Sequence, residues 1–319
     1  MSRRVLVTGG AGFIGSHMAD RLLAAGSEVI VLDNESTGTR ANVPAAAHFI
    51  AGDVRNPEDV ARAFDGGLDA VFQIAGQAST ILSFDNPQND LSINVGGTLN
   101  ILQACLKHQV PRLIYASSMI CYGHPEQVPI GEDHPCRPVS YYGITKYAGE
   151  RYVHATAARN DLEFDFQVTS FRMFNVYGPR QSLTNFYQGV VTNFMANILQ
   201  EQPLIIHSDG EQTRDFIYVE DVVNAWVKAL DAPRTHGQVF NLGSGEGITI
   251  NRLADITLAA FDRNRDTHTV LYEPVRPGDL RYMEAEMSRT RECLDWTPLT
   301  PFDEGMEHTL RWARSQVST

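Results

Sequence analysis

The first half of the chain alternates short apolar runs with amphipathic segments. Met18, Leu22 and Leu23 fall on one face of the segment that follows the first run. Strands that alternate with helices pair in parallel, because each helix returns the chain to the starting edge of the sheet. The pattern predicts an α/β fold with a doubly wound parallel sheet. Five apolar runs have the length of buried strands: 5–7, 28–32, 48–50, 70–74 and 112–116.

A glycine-rich turn separates the first apolar run from the first amphipathic segment. Glycines at 9, 12 and 15 let the backbone approach a pyrophosphate and let the helix pack closely on the strand. The free N–H groups of the helix N-terminus attract phosphate. The second strand ends in Asp33, an acid that suits the ribose hydroxyls of NAD and repels the 2′-phosphate of NADP. The sequence therefore predicts an NAD site on a Rossmann-type sheet.

Residues after the later strands extend this site, because ligands of open parallel sheets lie beyond the carboxyl ends of the strands. Asp53 follows the third strand and could accept from the adenine amino group; alternatively, it caps the helix that begins at Pro57. Asn94 could reach the nicotinamide side. The expected cofactor-binding residues are Gly9, Gly12, Phe13, Ile14, Gly15, Asp33, Asn34, Asp53, Val54, Ala75, Gly76, Gln77, Asn94, Ser117, Tyr142 and Lys146.

The candidate catalytic residues are Ser118, Tyr142 and Lys146. Tyr142 and Lys146 are four residues apart and lie one turn apart on the same helical face. A phenol has a reference pKa of about 10, so a base that works near pH 7 needs about 4 kcal/mol of stabilisation as phenolate. The Lys146 ammonium and an oxidised nicotinamide would both favour the phenolate. Ser118 could hydrogen-bond the substrate oxygen that Tyr142 deprotonates, although two serines after a strand also suit a capped turn.

These motifs together resemble the extended short-chain dehydrogenase/reductases, and specifically the NAD-dependent nucleotide-sugar epimerase/dehydratase family. The resemblance covers nearly the whole chain. It departs at residues 73–76, where Gln-Ile-Ala-Gly replaces the common His-Leu-Ala-Ala. The resemblance implies that Ser118, Tyr142 and Lys146 are catalytic, and that Asp33 and Asp53 hold the adenosine half. It also implies a homodimer formed through long helices near 90–108 and 142–160.

Three segments of the second half resemble the nucleotide-sugar-binding motifs of this family, at 171–180, 208–216 and 276–279. The resemblance places Asn175 and Arg214 at the diphosphate, Arg276 at a phosphate and Asp279 at the ribose. Arginine forks suit phosphate, so a net-acidic chain could still bind an anion locally. The loop 181–189 and the helix near 190–199 are expected to cover the base. The expected substrate-binding residues are Thr80, Ser118, Met119, Asn175, Arg180, Arg214, Arg276 and Asp279.

The motifs predict two domains that interleave along the sequence. Residues 1–172 and 216–243 are assigned to the NAD-binding domain, and residues 173–215 and 244–319 to a smaller nucleotide-sugar-binding domain. The segment 218–230 is expected to return to the cofactor domain as a helix, and 239–242 to form the last strand.

Charge, apolar content and cysteine spacing disfavour several classes of partner and location. The net charge of −12 disfavours nucleic acid as a partner, and no apolar run approaches the ~20 residues of a membrane span. The first strand begins close to the N-terminus and leaves no room for a signal peptide. Four cysteines without CxxC spacing suggest reduced thiols in the cytoplasm. The histidines lack ligand spacing, so no metal is expected.

The reaction type depends on the two residues after Ser118. In this family, dehydratases carry an Asp-Glu pair there and decarboxylases a glutamate, whereas this chain has Met119 and Ile120, which cannot exchange a proton. The prediction is a 4-epimerase that inverts C4 of an NDP-hexose or NDP-uronic acid through a transient 4-keto sugar with bound NAD+. The alternatives are a 4,6-dehydratase, a decarboxylase or a related NAD-dependent sugar-nucleotide oxidoreductase. A non-catalytic NAD-sensing module is more remote, because both Tyr142 and Lys146 are present.

Overall fold

The structure is a computed structural model that describes residues 2–184 and 189–317. Within these residues the chain forms strands and helices that alternate through the first half, as predicted. The strands are β1 (Arg4–Thr8), β2 (Glu28–Asp33), β3 (His48–Ala51), β4 (Ala70–Gln73), β5 (Arg112–Ser118), β6 (Gln167–Met173), β7 (Asn175–Tyr177), β8 (Leu204–His207), β9 (Thr213–Tyr218), β10 (Gln238–Leu242), β11 (Gly247–Thr249), β12 (Val270–Glu273) and β13 (Tyr282–Met283).

The helices lie between and after these strands, and several are joined by short 3₁₀ turns. They are α1 (Phe13–Ala24), α2 (Pro57–Phe64), α3 (Thr80–Asp85), α4 (Pro87–Leu91), α5 (Thr98–Lys107), α6 (Tyr141–Ala157), α7 (Val190–Leu199), α8 (Val219–Leu230), α9 (Ile250–Ala260), α10 (Ser288–Leu294) and α11 (Phe302–Val317).

A seven-stranded parallel sheet forms the centre of the molecule, in the order β10-β6-β5-β4-β1-β2-β3. The predicted doubly wound sheet is confirmed. The order reverses between β1 and β4, and ligands of open α/β sheets bind outside the carboxyl ends of the strands at such a point. The fold therefore places the glycine turn after β1 at the expected crevice.

Both faces of the central sheet are buried, which explains why its strands appear as continuous apolar runs. Val5 and Val7 of β1 belong to one core cluster, whereas Leu6 belongs to the other. Successive side chains of a strand point to opposite faces, so one short run serves both cores. Trp226 of α8 packs on one face, where its ring lies 6.2 Å from that of Phe72.

The smaller part of the structure contains two further sheets. One has the order β11-β9-β13, with β7 also paired to β9, and the other joins β12 to β8. The expectation that 239–242 is the last strand is wrong, because β11, β12 and β13 follow it. These strands have two to four residues, and β12 is mostly exposed, so no apolar run marks them. Strand β9 crosses the predicted domain boundary at 215/216; the domain division itself stays a prediction.

A third core cluster lies under these smaller sheets and under helices α7, α9 and α11. Met306 and Leu310 of the C-terminal helix belong to it, which agrees with their apolar spacing in the sequence. Among the described residues, no helix is long and apolar enough to cross a membrane.

Candidate active site

The turn between β1 and α1 has the geometry of a phosphate cradle. Gly12 is the N-cap of α1; no side chain caps the helix, and its first turn has no acidic residue, so its N–H groups remain available to an anion. Gly9 adopts φ of 69°, a conformation that favours glycine. A Cβ on Gly15 would lie 2.1 Å from the Gly9 carbonyl oxygen, so α1 can approach the turn only with glycine there. The residues present fit a dinucleotide pyrophosphate.

Asp33 lies at the end of β2 and supports the same turn. Its carboxylate accepts from the N–H of Ala11 at 2.9 Å and from the N–H of Glu35 at 2.7 Å. Burial raises the pKa of Asp33, and the backbone hydrogen bonds oppose that shift. Each carboxylate oxygen keeps a further lone pair, so the group can also accept from ribose hydroxyls.

Asp53 is held by two side chains beside this position. Its carboxylate accepts from Asn34 at 2.8 Å and pairs with Arg55 at 2.6 Å, and this guanidinium lowers the pKa of Asp53 to about 2. The helix that follows is capped by Asn56, whose side chain accepts from Glu58, so Asp53 is not the cap. The adenine contact stays a prediction.

The loop after β4 meets Asn94 and Lys146 in space. Asn94 lies in a π-helical turn, Ser92–Gly97, which interrupts the helix expected over 90–108. Its side chain accepts from the Gln77 N–H at 2.9 Å and donates to the Gln77 carbonyl oxygen at 3.1 Å. A Cβ on Gly76 would lie 2.9 Å from Asn94 Oδ1 and 3.8 Å from Lys146 Nζ. The predicted cofactor residues Ala75, Gly76, Gln77 and Asn94 therefore form one wall, and Val54 packs behind it against Gly97.

Ser118, Tyr142 and Lys146 come together at the carboxyl end of β5. The Ser118 hydroxyl is hydrogen-bonded to the Tyr142 phenol, and its oxygen also accepts from the Ile120 N–H at 3.4 Å. Lys146 is buried, with its ammonium 4.7 Å from the centre of the Tyr115 ring. The structure thus assembles the three predicted catalytic side chains.

The electrostatics of this trio differ from the expectation that Tyr142 has a lowered pKa. Burial raises the pKa of Tyr142 to about 12, and the hydrogen bond with Ser118 opposes that shift. Burial also lowers the pKa of Lys146 to about 8. The polypeptide alone therefore favours neutral phenol, and phenolate needs the second cation that the sequence interpretation invoked, the oxidised nicotinamide.

Ser117, a predicted cofactor residue, has its hydroxyl committed elsewhere. It donates to Glu150 at 2.7 Å, and Glu150 forms a buried ion pair with Arg172 at 2.6 Å. Ser117 nevertheless lines the same cleft as Ser118, and its role in cofactor binding stays a prediction. The sequence alone does not show which of the two serine hydroxyls is hydrogen-bonded to Glu150.

A cleft of about 740 Å³ runs from the glycine turn to the smaller sheets. Arg214 and Asp279, both expected at the substrate, form an ion pair with each other across it. Arg276 is exposed at its edge. The described residues that line the cleft include these predicted ones: Phe13, Ile14, Thr80, Ser117, Ser118, Met119, Tyr142, Asn175, Arg214, Arg276 and Asp279.

Arg180 is the predicted substrate residue that the structure places elsewhere. It adopts φ of 66° and pairs with Asp20 of α1 at 2.6 Å. It is not among the described residues that line the cleft. The expected cover of the base by loop 181–189 falls partly on residues 185–188, which lie outside the described residues.

Polar groups that the sequence interpretation did not single out also line the cleft. Buried Oε1 of Gln181, Oε1 of Gln212 and Nε2 of His207 lack a hydrogen-bond partner among the described residues, as does Oδ1 of Asn175. Gln212 donates its amide to the His207 carbonyl at 2.7 Å, and His207 Nδ1 faces the Pro274 carbonyl at 3.1 Å. These residues line the cleft and carry buried polar atoms whose hydrogen bonds are not satisfied among the described residues.

Known proteins share both the sequence pattern and this architecture. The family model described as the NAD dependent epimerase/dehydratase family matches residues 5–243. The chain belongs to this family. It is therefore an NAD-dependent enzyme, and the predicted cofactor, NAD, is confirmed.

Individual relatives extend over nearly the full length. The UDP-glucose 4-epimerase of Mycolicibacterium smegmatis is 34% identical over 98% of this chain and 99% of its own. The UDP-glucose 4-epimerase of Thermotoga maritima, solved with UDP-glucose, is 36% identical with a TM-score of 0.92, and 98% of this chain and 99% of that chain are covered. That of Thermus thermophilus, solved with NAD, is 36% identical with a TM-score of 0.89 over the same shares.

The position of Asp33 predicts that the enzyme carries NAD rather than NADP. The Asp33→Ala variant removes the negative charge that would repel a 2′-phosphate, so its bound cofactor should include a larger share of NADP. The variant should also be less stable, because the Ala11 and Glu35 amides lose their acceptor. Chromatography of the nucleotide released on denaturation measures the ratio. Wild-type protein that releases as much NADP as NAD would contradict the assignment of Asp33.

Proposed function

We propose that this protein is a nucleotide-sugar 4-epimerase that acts on a UDP-hexose. The observation that supports it most is the wall beside Ser118, where Met119 and Ile120 line the cleft. Neither side chain can exchange a proton. The relatives named UDP-glucose 4-epimerase support the choice of UDP over the other nucleotides.

The carboxylates near the sugar limit the alternative reactions. Among the described residues that line the cleft, Asp279 is the carboxylate, and it is paired with Arg214. A 4,6-dehydratase or decarboxylase needs an acid or base beside C5 and C6, and the described cleft offers no free carboxylate for that role. The 4-keto sugar can then react further only by return of the hydride to C4.

The chain's own groups can perform the proton transfers of such a reaction. Tyr142 accepts the proton of the 4-hydroxyl as a phenolate and returns it when the alcohol forms again. Ser118 hydrogen-bonds the same oxygen, and the Lys146 ammonium stabilises the phenolate. In the cofactor site formed by the glycine turn and the wall after β4, bound NAD+ would supply the hydride acceptor and donor for C4. Inversion follows if the keto sugar turns over in the cleft between these two steps. The assembled Tyr142–Ser118 contact also counts against a purely NAD-sensing role.

The test is a product assay with purified holoenzyme and a panel of UDP-, dTDP-, CDP- and GDP-sugars. We expect UDP-glucose and UDP-galactose to interconvert, with no other product. A matched pair of variants checks the role of the base. Tyr142→Phe should keep its NAD and lose about 10²–10⁴-fold in kcat, whereas Tyr141→Phe, at an exposed neighbour on the same helix, should keep wild-type turnover.

Three outcomes would contradict the proposal. Accumulation of a 4-keto-6-deoxy sugar would identify a dehydratase, and release of CO₂ from a UDP-uronic acid would identify a decarboxylase. Near-wild-type kcat in Tyr142→Phe would exclude Tyr142 as the base.

We further propose a cytoplasmic homodimer. Large apolar side chains are exposed on the helices expected to pair: Leu91 at 48%, Ile144 at 49% and Tyr152 at 46%. Exposed apolar groups on adjacent helices are typical of an interface. The four cysteines are free thiols, as expected in a reducing compartment. Light scattering should give about twice the 35.4 kDa mass of the chain, and a particle of one chain mass at micromolar concentration would contradict the dimer.

A further inference from the structure

Asp90 is a buried carboxylate that belongs to none of the cofactor-binding, catalytic or substrate-binding motifs. It lies in α4, close before the π-helical turn that carries Asn94, and is fully buried. Its Oδ1 accepts from Gln77 Nε2 at 2.7 Å and from Asn94 Nδ2 at 3.1 Å, and its Oδ2 accepts from the Thr145 hydroxyl at 2.6 Å. Asp90 therefore joins the cofactor wall after β4 to the helix that carries Tyr142 and Lys146.

The hydrogen-bond donors to Asp90 are all neutral, so its buried charge needs a cation for compensation. Burial raises the pKa of Asp90, and the hydrogen bonds and the Lys146 ammonium oppose that shift. Lys146 follows Thr145 directly in α6. Its Nζ and Asn94 Oδ1 both lie within 4 Å of a Cβ placed on Gly76, so the ammonium sits beside the Asp90 network.

The other groups that face Lys146 cannot replace Asp90 as its counter-charge. Tyr115 of β5 contributes its ring face, and burial raises the pKa of Tyr142 to about 12, so its phenol supplies no negative charge unless an oxidised nicotinamide is bound. Burial raises the pKa of Cys121 to about 12, so this thiol is neutral at physiological pH. Glu150, one turn further along α6, is already paired with Arg172 at 2.6 Å.

We propose that Asp90 is a positioning residue of the active site: it is the counter-ion of Lys146, and it holds Asn94 and Thr145 in place. The effect on turnover rests on the proposed epimerase function, whereas the electrostatic effect of Asp90 on Lys146 does not. Asp90→Asn keeps the shape of the side chain and removes its charge. The acid dissociation constant of Lys146 should then rise at least about tenfold, which lowers its pKa by about one unit or more.

The lysine content of the chain allows a direct measurement. The sequence holds only three lysines, at 107, 146 and 228. Holoenzyme labelled with ¹³Cε-lysine should give three side-chain signals, which Lys107→Arg and Lys228→Arg assign. We expect Lys146 to titrate about one pH unit or more lower in Asp90→Asn than in the wild type. The same titration pH in both proteins would overturn the proposal.

A matched control separates the charge from the hydrogen bonds. Thr145→Val removes the donor to Asp90 Oδ2 and leaves the carboxylate charged, so Lys146 should still titrate near its wild-type pH. An equal shift in Thr145→Val and Asp90→Asn would show a general structural disturbance and overturn the proposal. If Asp90→Asn is not recovered folded, Asp90→Ser removes the same charge, and the same fall is expected.

Turnover supplies the second readout. Turnover should fall at high pH when Lys146 loses its proton. In Asp90→Asn this alkaline limb of the pH profile of kcat should therefore move to lower pH by the same amount as the Lys146 titration, with KM for the sugar nucleotide unchanged. A limb that stays in place while Lys146 shifts would contradict the catalytic consequence of the pairing. The lysine titration needs no turnover, so failure of the epimerase assay and failure of this proposal give different results.

Discussion

The close approach of α1 to the turn after β1 is the constraint on which the active site depends. Gly15 can lie against the Gly9 carbonyl only because it has no Cβ. This contact aims the helix N-terminus at the crevice where the strand order reverses. Asp33 fixes the turn from the next strand by accepting from the Ala11 N–H. The cofactor position is set in this way. The carboxyl ends of β4 and β5 then bring Gly76 and Ser118 to the end of the site where the nicotinamide is expected.

Burial of the catalytic pair has opposite effects on its two members. It raises the pKa of Tyr142 and lowers that of Lys146, so the protein matrix alone disfavours both charged forms. Charges placed around the pair must offset this cost. On one side Glu150 is neutralised by Arg172, and on the other the buried carboxylate of Asp90 is left to balance the ammonium. The activity of the pair thus depends on groups one layer behind the cleft.

The sequence allowed correct prediction of those features that depend on local geometry. The glycine spacing, the acid at the end of β2 and the four-residue spacing of Tyr142 and Lys146 follow from one turn or one strand. Features set by distant contacts could not be predicted. Ser117 and Ser118 look equivalent in the sequence, and only the structure shows that the Ser117 hydroxyl donates to Glu150. Arg180 is predicted to bind substrate, and only the structure shows its ion pair with Asp20 of α1. The short strands after β10 carry too few apolar residues to be recognised as strands in the sequence.

The central claim is that the enzyme inverts C4 without net redox change and without proton exchange at C5. Turnover of a UDP-hexose that carries deuterium at C4 tests it most directly, because the label follows the hydride. We expect the C4 epimer to keep its deuterium at C4, and in D₂O no solvent label to enter C5. Loss of the C4 label to solvent, transfer of it to C6, or solvent deuterium at C5 would rule out C4 inversion by hydride return.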